Sequence, residues 1–170
     1  MKIDTSELIG LALDWAVAKC EGYGGENYLK AIDLRYNAQG KVSAMLVPID
    51  REYIKWLPST DWSQGGPIID SEGISIIRCD DDYGIGSDGY ANVLRIPVWC
   101  ATNGRHGIEY STDHQSHEAM YQVIASEVFH GPSSLIAAMR CYVASKLGYT
   151  VEVPNELLTN SEEQPSTTPS

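Results

Sequence analysis

The chain has 170 residues, 43% hydrophobic and 21% charged, the profile of one soluble domain with one core. A formal net charge of −11 argues against nucleic acid as the main partner, since phosphate binding needs a basic patch. No apolar run approaches the roughly 18 residues of a membrane span, and MKIDTSEL has no signal-peptide pattern, so we expect no membrane contact and a cytoplasmic location.

In chain order, Asp4, Thr5 and Ser6 offer N-caps, and Asp4 with Glu7 has capping-box spacing. A helix is predicted from Ser6 to Glu21, with Leu8, Leu11, Ala12, Trp15 and Lys19 on one stripe and Gly22, Gly24 and Gly25 ending it. Trp15 reads as a core anchor, with stacking at a pocket wall as the alternative. Tyr28 to Tyr36 and Val42 to Ile49 read as strands joined by the Asn37–Gly40 turn into an antiparallel hairpin. Arg51 to Trp56 is short and amphipathic. The most specified stretch follows, Pro58 to Asp70, PSTDWSQGGPIID. It is a poor helix and only its tail is a good strand, so it is predicted as a loop. Pro67–Asp70 and Ile74–Arg78 form an apolar pair around Ser71-Glu72-Gly73.

Residues 79–92 read CDDDYGIGSDGYAN. Gly84, Gly86 and Gly89 match GxGxxG, but a strand follows where a dinucleotide fingerprint needs a helix. Asp80, Asp82 and Asp88 suggest a calcium loop, but the Gly at its sixth position and the Glu at its twelfth are absent. A mobile acidic hairpin is the reading that remains. Val93 to Ala101 is a predicted strand with Pro97 marking an edge or bulge. Residues 102–117 read as loop, with a short strand near Ile108. His114 and His117 form an HxxH without a further ligand at standard spacing, so no metal site is assigned. Met120 to Ser126 fits strand or helix.

A second long helix is predicted from Pro132 at N1 to Leu147, with Gly148 ending it. Leu135, Ile136, Met139, Tyr142, Val143 and Leu147 form its buried stripe. Arg140 lies at the stripe's border. It either snorkels outward or pairs with an internal acid, or it points into a cleft and holds an anion by its planar fork. Thr150 to Val153 reads as a last strand and Pro154 to Leu158 as a turn. The polar tail 159–170 is predicted disordered. The four cysteines, Cys20, Cys79, Cys100 and Cys141, are widely spaced without a CxxC and read as reduced thiols. The predicted fold is α+β: an antiparallel sheet of about five to seven strands with two long helices packed on one face. Its exposed edges invite homo-oligomerisation.

Three blocks, KIDTSELIGLALDWAVAK, STDWSQGGPII with the nearby ISI, and GPSSLIAAMRCYVASKLG with YTVEVPNEL, together resemble the NinX-like proteins of lambdoid phages. They cover about residues 1–22, 56–77 and 131–158 in the family's order, within a single globular domain of residues 1–158. Residues 79–128 depart from the family pattern and read as an insertion. The resemblance implies a small cytoplasmic accessory protein made in an infected bacterium. It transfers no activity, because the family's function is unknown. Phage accessory genes often counter host defence.

No GxSxG, P-loop, HExxH or CxxC is present. Ser111-Thr112-Asp113-His114 holds triad residue types, but adjacency is not triad geometry. No cofactor is expected. The candidate ligand site is Asp61, Trp62, Gln64, Gly65, Gly66 and Arg140. Trp62 would stack on a base. Asp61 and Gln64 would bond ribose or an exocyclic amine. Gly65 and Gly66 would let backbone N–H groups approach a phosphate, and Arg140 would add charge. The alternative is that Trp62 plugs the core between the helices while the glycines make a turn. The expected function is a non-catalytic binder that sequesters a nucleotide-derived defence signal. Alternatives are an acidic protein–protein inhibitor of a host factor, by its surface or its 79–92 hairpin or as a DNA mimic, and a small hydrolase of such a signal.

Overall fold

The computed structural model describes the backbone of residues 1–25, 28–85, 91–103, 107–112, 119–124 and 128–158. The class is α+β, as predicted. Three helices pack with antiparallel strands in this order: β1 (Lys2–Asp4), α1 (Gly10–Cys20), β2 (Asp33–Tyr36), β3 (Val42–Ile49), β4 (Glu52–Lys55), α2 (Trp62–Glu72), β5 (Ile74–Ile85), β6 (Ala91–Asn103), β7 (Gly107–Thr112), β8 (Ala119–Ile124), β9 (Phe129–Gly131), α3 (Ser134–Leu147) and β10 (Thr150–Glu152). Among the described residues the strands pair as β1-β10, β2-β3-β4, β5-β6-β9 and β7-β8, several small sheets rather than one.

α1 begins four residues later than predicted. The Asp4 carboxylate caps a separate 3₁₀ turn, Thr5–Glu7, by accepting from the Ser6 N–H. Gly10, at φ +55°, then turns the chain into the helix. The buried face of α1 is also wider than the expected stripe. Leu13, Asp14, Ala16, Val17 and Ala18 are buried, while Leu11, Trp15 and Lys19 are half-buried. The reason is that α1 packs against both β3 and α3.

β2 and β3 pair antiparallel around the Asn37–Gly40 turn, with the Asn37 side chain accepting from the Gln39 and Lys41 N–H groups. The preceding Tyr28–Lys30 is a 3₁₀ turn, so β2 is shorter than predicted. β3 turns directly into β4 through Asp50 and Arg51, at φ +49° and +69°. Two consecutive left-handed residues suit the twist of a tight hairpin. β5 and β6 form one long hairpin in which Asp80 faces Pro97. β9 pairs only with Trp99–Ala101, so Pro97 lies on a stretch of β6 that β9 does not reach. The tip at 86–90, His114 and His117, and the tail 159–170 lie outside the described residues.

α3 is the centre of the molecule. It packs on β5, β6, β9, α1 and α2. Ser133 caps it, its hydroxyl accepting from the Ile136 N–H, and Gly148 follows its end as predicted. Leu135, Ile136, Met139, Tyr142 and Val143 are buried, but so are Ala137, Ala138 and Cys141, because covering elements lie on several sides. Leu147 is 42% exposed and leaves the stripe. β9 crosses so close to α3 that a Cβ on Gly131 would lie 2.6 Å from the Ala137 nitrogen.

Candidate functional site

The stretch predicted as a loop is a helix. Asp61 is its N-cap in extended conformation, and Gly73, at φ +63°, is its left-handed C-cap. Two signals for it are present in the sequence: Asp61 and Gln64 have capping-box spacing, and a Gly stands just after the last helical residue. Gly65, Gly66 and Pro67 hid them. Pro67 cannot donate to the Ser63 carbonyl, and the glycines lower intrinsic helix propensity. Tertiary packing overrides both.

The Asp61 Oδ1 accepts from the Ser63 N–H at 2.9 Å and from its hydroxyl at 2.7 Å. The Gln64 amide donates to Asp61 Oδ2 at 3.3 Å. The Ser63 hydroxyl and amide hold the Asp61 carboxyl below its ordinary range, so it is ionised at neutral pH. Gln64 spans back to β4: its Oε1 accepts from the Leu57 N–H at 2.8 Å and its amide donates to the Lys55 carbonyl at 2.9 Å. It ties the helix start to the segment before it.

The two glycines have different jobs. Gly65 is buried where α2 meets the Pro58 carbonyl and the Leu135 side chain of α3. Its missing Cβ serves close packing, not an approaching phosphate. Gly66 is more open, and an added Cβ there would meet only the Trp62 ring, at 3.7 Å. Trp62 itself is 56% exposed. It does not plug the core.

Trp56 does that instead. It is buried, donates its indole N–H to the Asp14 carbonyl at 3.1 Å, and packs on Tyr23 with ring centroids 5.6 Å apart. Asp14 is the polar centre of this region. Its carboxylate is buried in α1 and accepts from the Ser59 N–H at 2.9 Å. Burial pushes its carboxyl from the usual 3.8 up to about 6, against the opposing pull of Ser59. The Ser59 hydroxyl has no well-formed hydrogen bond among the described residues, though it lies close enough to favour the carboxylate. Asp14 and Ser59 thus clamp the segment that delivers Trp62. Hydrophobic periodicity gave no sign of a buried acid at this position.

Arg140 stands apart from the other five. Its Nε donates to the Leu8 carbonyl at 2.9 Å and an NH1 proton goes to the His130 carbonyl at 2.7 Å. α3 faces α2 through Leu135, beside Gly65, and Lys146, paired with Glu72 at 2.9 Å. Arg140 projects about 140° round the helix from Leu135. Its fork therefore joins the turn before α1 to β9, and its partners are main-chain carbonyls where the sequence suggested an internal acid or a bound anion. Arg140→Ala is expected to cost about 2 kcal/mol, with Lys restoring little because an ammonium cannot span both carbonyls. Urea denaturation checks this, and a loss below about 0.5 kcal/mol contradicts it.

Burial pushes the Cys20 thiol up to about 12, so it is inert at neutral pH. No cluster among the described residues has the ligands to hold a metal ion, and no described helix is long and apolar enough to cross a membrane. A family model described as "Bacteriophage P22, NinX" matches residues 4–90, more than half of the chain. The match contains α1 and α2 and runs through β5 to the residue before β6, past the point where the resemblance in sequence fades. The block at 131–158 lies outside it. No curated protein matches the chain.

Proposed function

Because the chain belongs to the bacteriophage P22 NinX family, we propose that this phage accessory protein is a non-catalytic binder that sequesters a nucleotide-derived signal of host defence, with Trp62 as its stacking platform. The observation that carries this reading is the 56% exposure of Trp62 on a capped, internally braced helix. A Trp held with more than half of its surface in water offers a large ring face, and a base ring stacks on such a face with little regard to sequence. Asp61 lies one residue away, ionised and half-buried, suited to accept from an exocyclic amine or ribose hydroxyl. Gly66 leaves the neighbouring turn open. Gln64 and Gly65 frame this proposed site by holding α2 in place, while Arg140, engaged with the Leu8 and His130 carbonyls away from α2, is not part of it.

One observation favours a protein partner as the second reading. An exposed Trp on an ordered helix, with its polar neighbours already satisfied, is also what a binding hot spot presents. An acidic inhibitor of a host factor would use the same face.

Isothermal titration against cyclic dinucleotides and ADP-ribose derivatives tests the first reading. Stoichiometric binding by the wild type is expected, with the compound released intact when the protein is heated. Release of a cleaved product makes it a hydrolase. No binding by folded protein, with a stoichiometric host protein recovered in a pull-down, selects the second reading.

A further inference from the structure

β1 is paired on one edge only. The Met1 amine donates to the Val153 carbonyl at 2.7 Å, the Val153 N–H returns to the Met1 carbonyl at 2.9 Å, and the Thr5 N–H donates to the Tyr149 carbonyl at 2.8 Å. Ile3 faces Val151 between them. In an antiparallel ladder, backbone groups alternate sides. Residues 1, 3 and 5 are turned toward β10, so Lys2 directs its N–H and C=O groups the other way and Asp4 its N–H, while the Asp4 carbonyl also accepts the first bond of the 3₁₀ turn Thr5–Glu7. No strand among the described residues takes that edge.

An open groove of about 320 Å³ runs along it, lined by Met1 to Asp4 together with Glu7, Leu8, Ile9, Ala12 and Leu158. Most of this lining is apolar. Met1 is 68% exposed and Ile9 37%, two large apolar side chains beside an unused strand edge.

The sequence of the edge is its own complement. Laid antiparallel against a second copy and centred on Ile3, the strand Lys2-Ile3-Asp4 sets each Lys2 opposite the other copy's Asp4 and Ile3 opposite Ile3. In that register both Lys2–Asp4 pairs are the hydrogen-bonded kind, the geometry the outward backbone groups require. Ile3 falls on the closer, non-bonded pair, where side chains touch best. A one-residue slip would break the charge match and the bonding phase together. The Lys2 ammonium has no carboxylate partner among the described residues, and Asp4 uses only Oδ1, on Ser6.

We infer that the chain forms a two-fold dimer through β1, with the strands of two copies joined in the order β10-β1-β1-β10 and the exposed Met1 and Ile9 of each copy covered in the other's groove. The contact is isologous, so it closes at two copies and leaves no edge for further growth. It uses neither α2 nor Trp62, and it stands or falls apart from the proposed function.

Sedimentation equilibrium on protein tagged only at its C-terminus tests this. The wild type is expected at twice the 18.7 kDa chain mass. Lys2→Asp places like charges opposite one another and is expected to weaken dimerisation at least tenfold. Lys2 also faces Glu152 across the β1–β10 ladder, so the folding of Lys2→Asp is checked by circular dichroism and Lys2→Ala, which adds no like charge, is expected to weaken dimerisation in the same direction. Asp4→Lys is expected to do the same, with folding checked by circular dichroism because Asp4 also caps the 3₁₀ turn. Mixing Lys2→Asp with Asp4→Lys restores opposite charges across the pair and is expected to give a heterodimer. A wild type that stays monomeric at all concentrations overturns the inference, as does a Lys2→Asp variant that dimerises like wild type.

Discussion

Gly65→Ala is expected to destabilise the protein by about 3 kcal/mol or more, while Gly66→Ala leaves stability unchanged or raised by up to about 1 kcal/mol. The two glycines are adjacent, lie in the same helix and undergo the same chemical change. They differ in what a methyl group meets. At position 65 it overlaps the Pro58 carbonyl oxygen and comes within 2.8 Å of the Leu135 Cδ2. The leucine end can rotate, but the carbonyl belongs to the segment that Asp14 and Gln64 hold in place. Either α2 moves off α3 or the clamp opens, and both lose buried contact. At position 66 the nearest atom is the Trp62 Cε3 at 3.7 Å, an ordinary contact, and alanine removes a glycine penalty from the helix. Urea denaturation midpoints of the two variants check this. Equal effects would contradict the packing account and return both glycines to a common role.

Asp14→Asn is expected to stabilise the protein at pH 7.5 by about 2 to 3 kcal/mol and to have almost no effect at pH 4. The sign follows from the direction of the shift. The Asp14 carboxyl titrates at about 6 in the fold against the usual 3.8, because burial disfavours its charge. A group raised on folding contributes stability that is fully present below its unfolded value and is lost as pH rises through its folded value. Between about pH 4 and pH 7 the wild type should lose stability from this group, while the Asn variant should not. An amide keeps the acceptor for the Ser59 N–H and offers a donor to the Ser59 hydroxyl. Comparing thermal melts of the two proteins across that range isolates Asp14, because Asp4 and Asp61, shifted down by their serine partners, respond in both. A variant less stable than wild type at pH 7.5 would contradict the account.

Much of the fold was legible in local pattern. The β2–β3 hairpin showed in its Asn37–Gly40 turn, and α3 in the spacing of Leu135, Met139 and Tyr142 with Gly148 behind it. The misses have two physical sources. α2 was hidden because Gly65, Gly66 and Pro67 are poor helix formers in isolation. Their cost is offset by the Asp61 cap, the Gln64 brace and the contact with α3, of which only the cap spacing and Gly73 are visible locally. The candidate site was partly legible. Asp61 to Gly66 do share the first turns of one element, and Trp62 was identified as the residue whose orientation mattered. Which tryptophan enters the core was not readable, because Trp56 reaches Asp14 and Tyr23 through long-range packing. Arg140 was correctly placed at the edge of a buried stripe. Its partners are main-chain carbonyls at residues 8 and 130, which no side-chain pattern announces.

The central claim is that the exposed ring of Trp62 binds rather than packs. Its most direct test is calorimetric titration of the wild type and Trp62→Ala with the same cyclic dinucleotides and ADP-ribose derivatives, with a thermal melt of each protein. Loss of binding by at least tenfold, with the melting temperature within about 2 °C of wild type, is the predicted result. Unchanged affinity in the variant, or a melting temperature lowered as a core Trp would lower it, would contradict the claim.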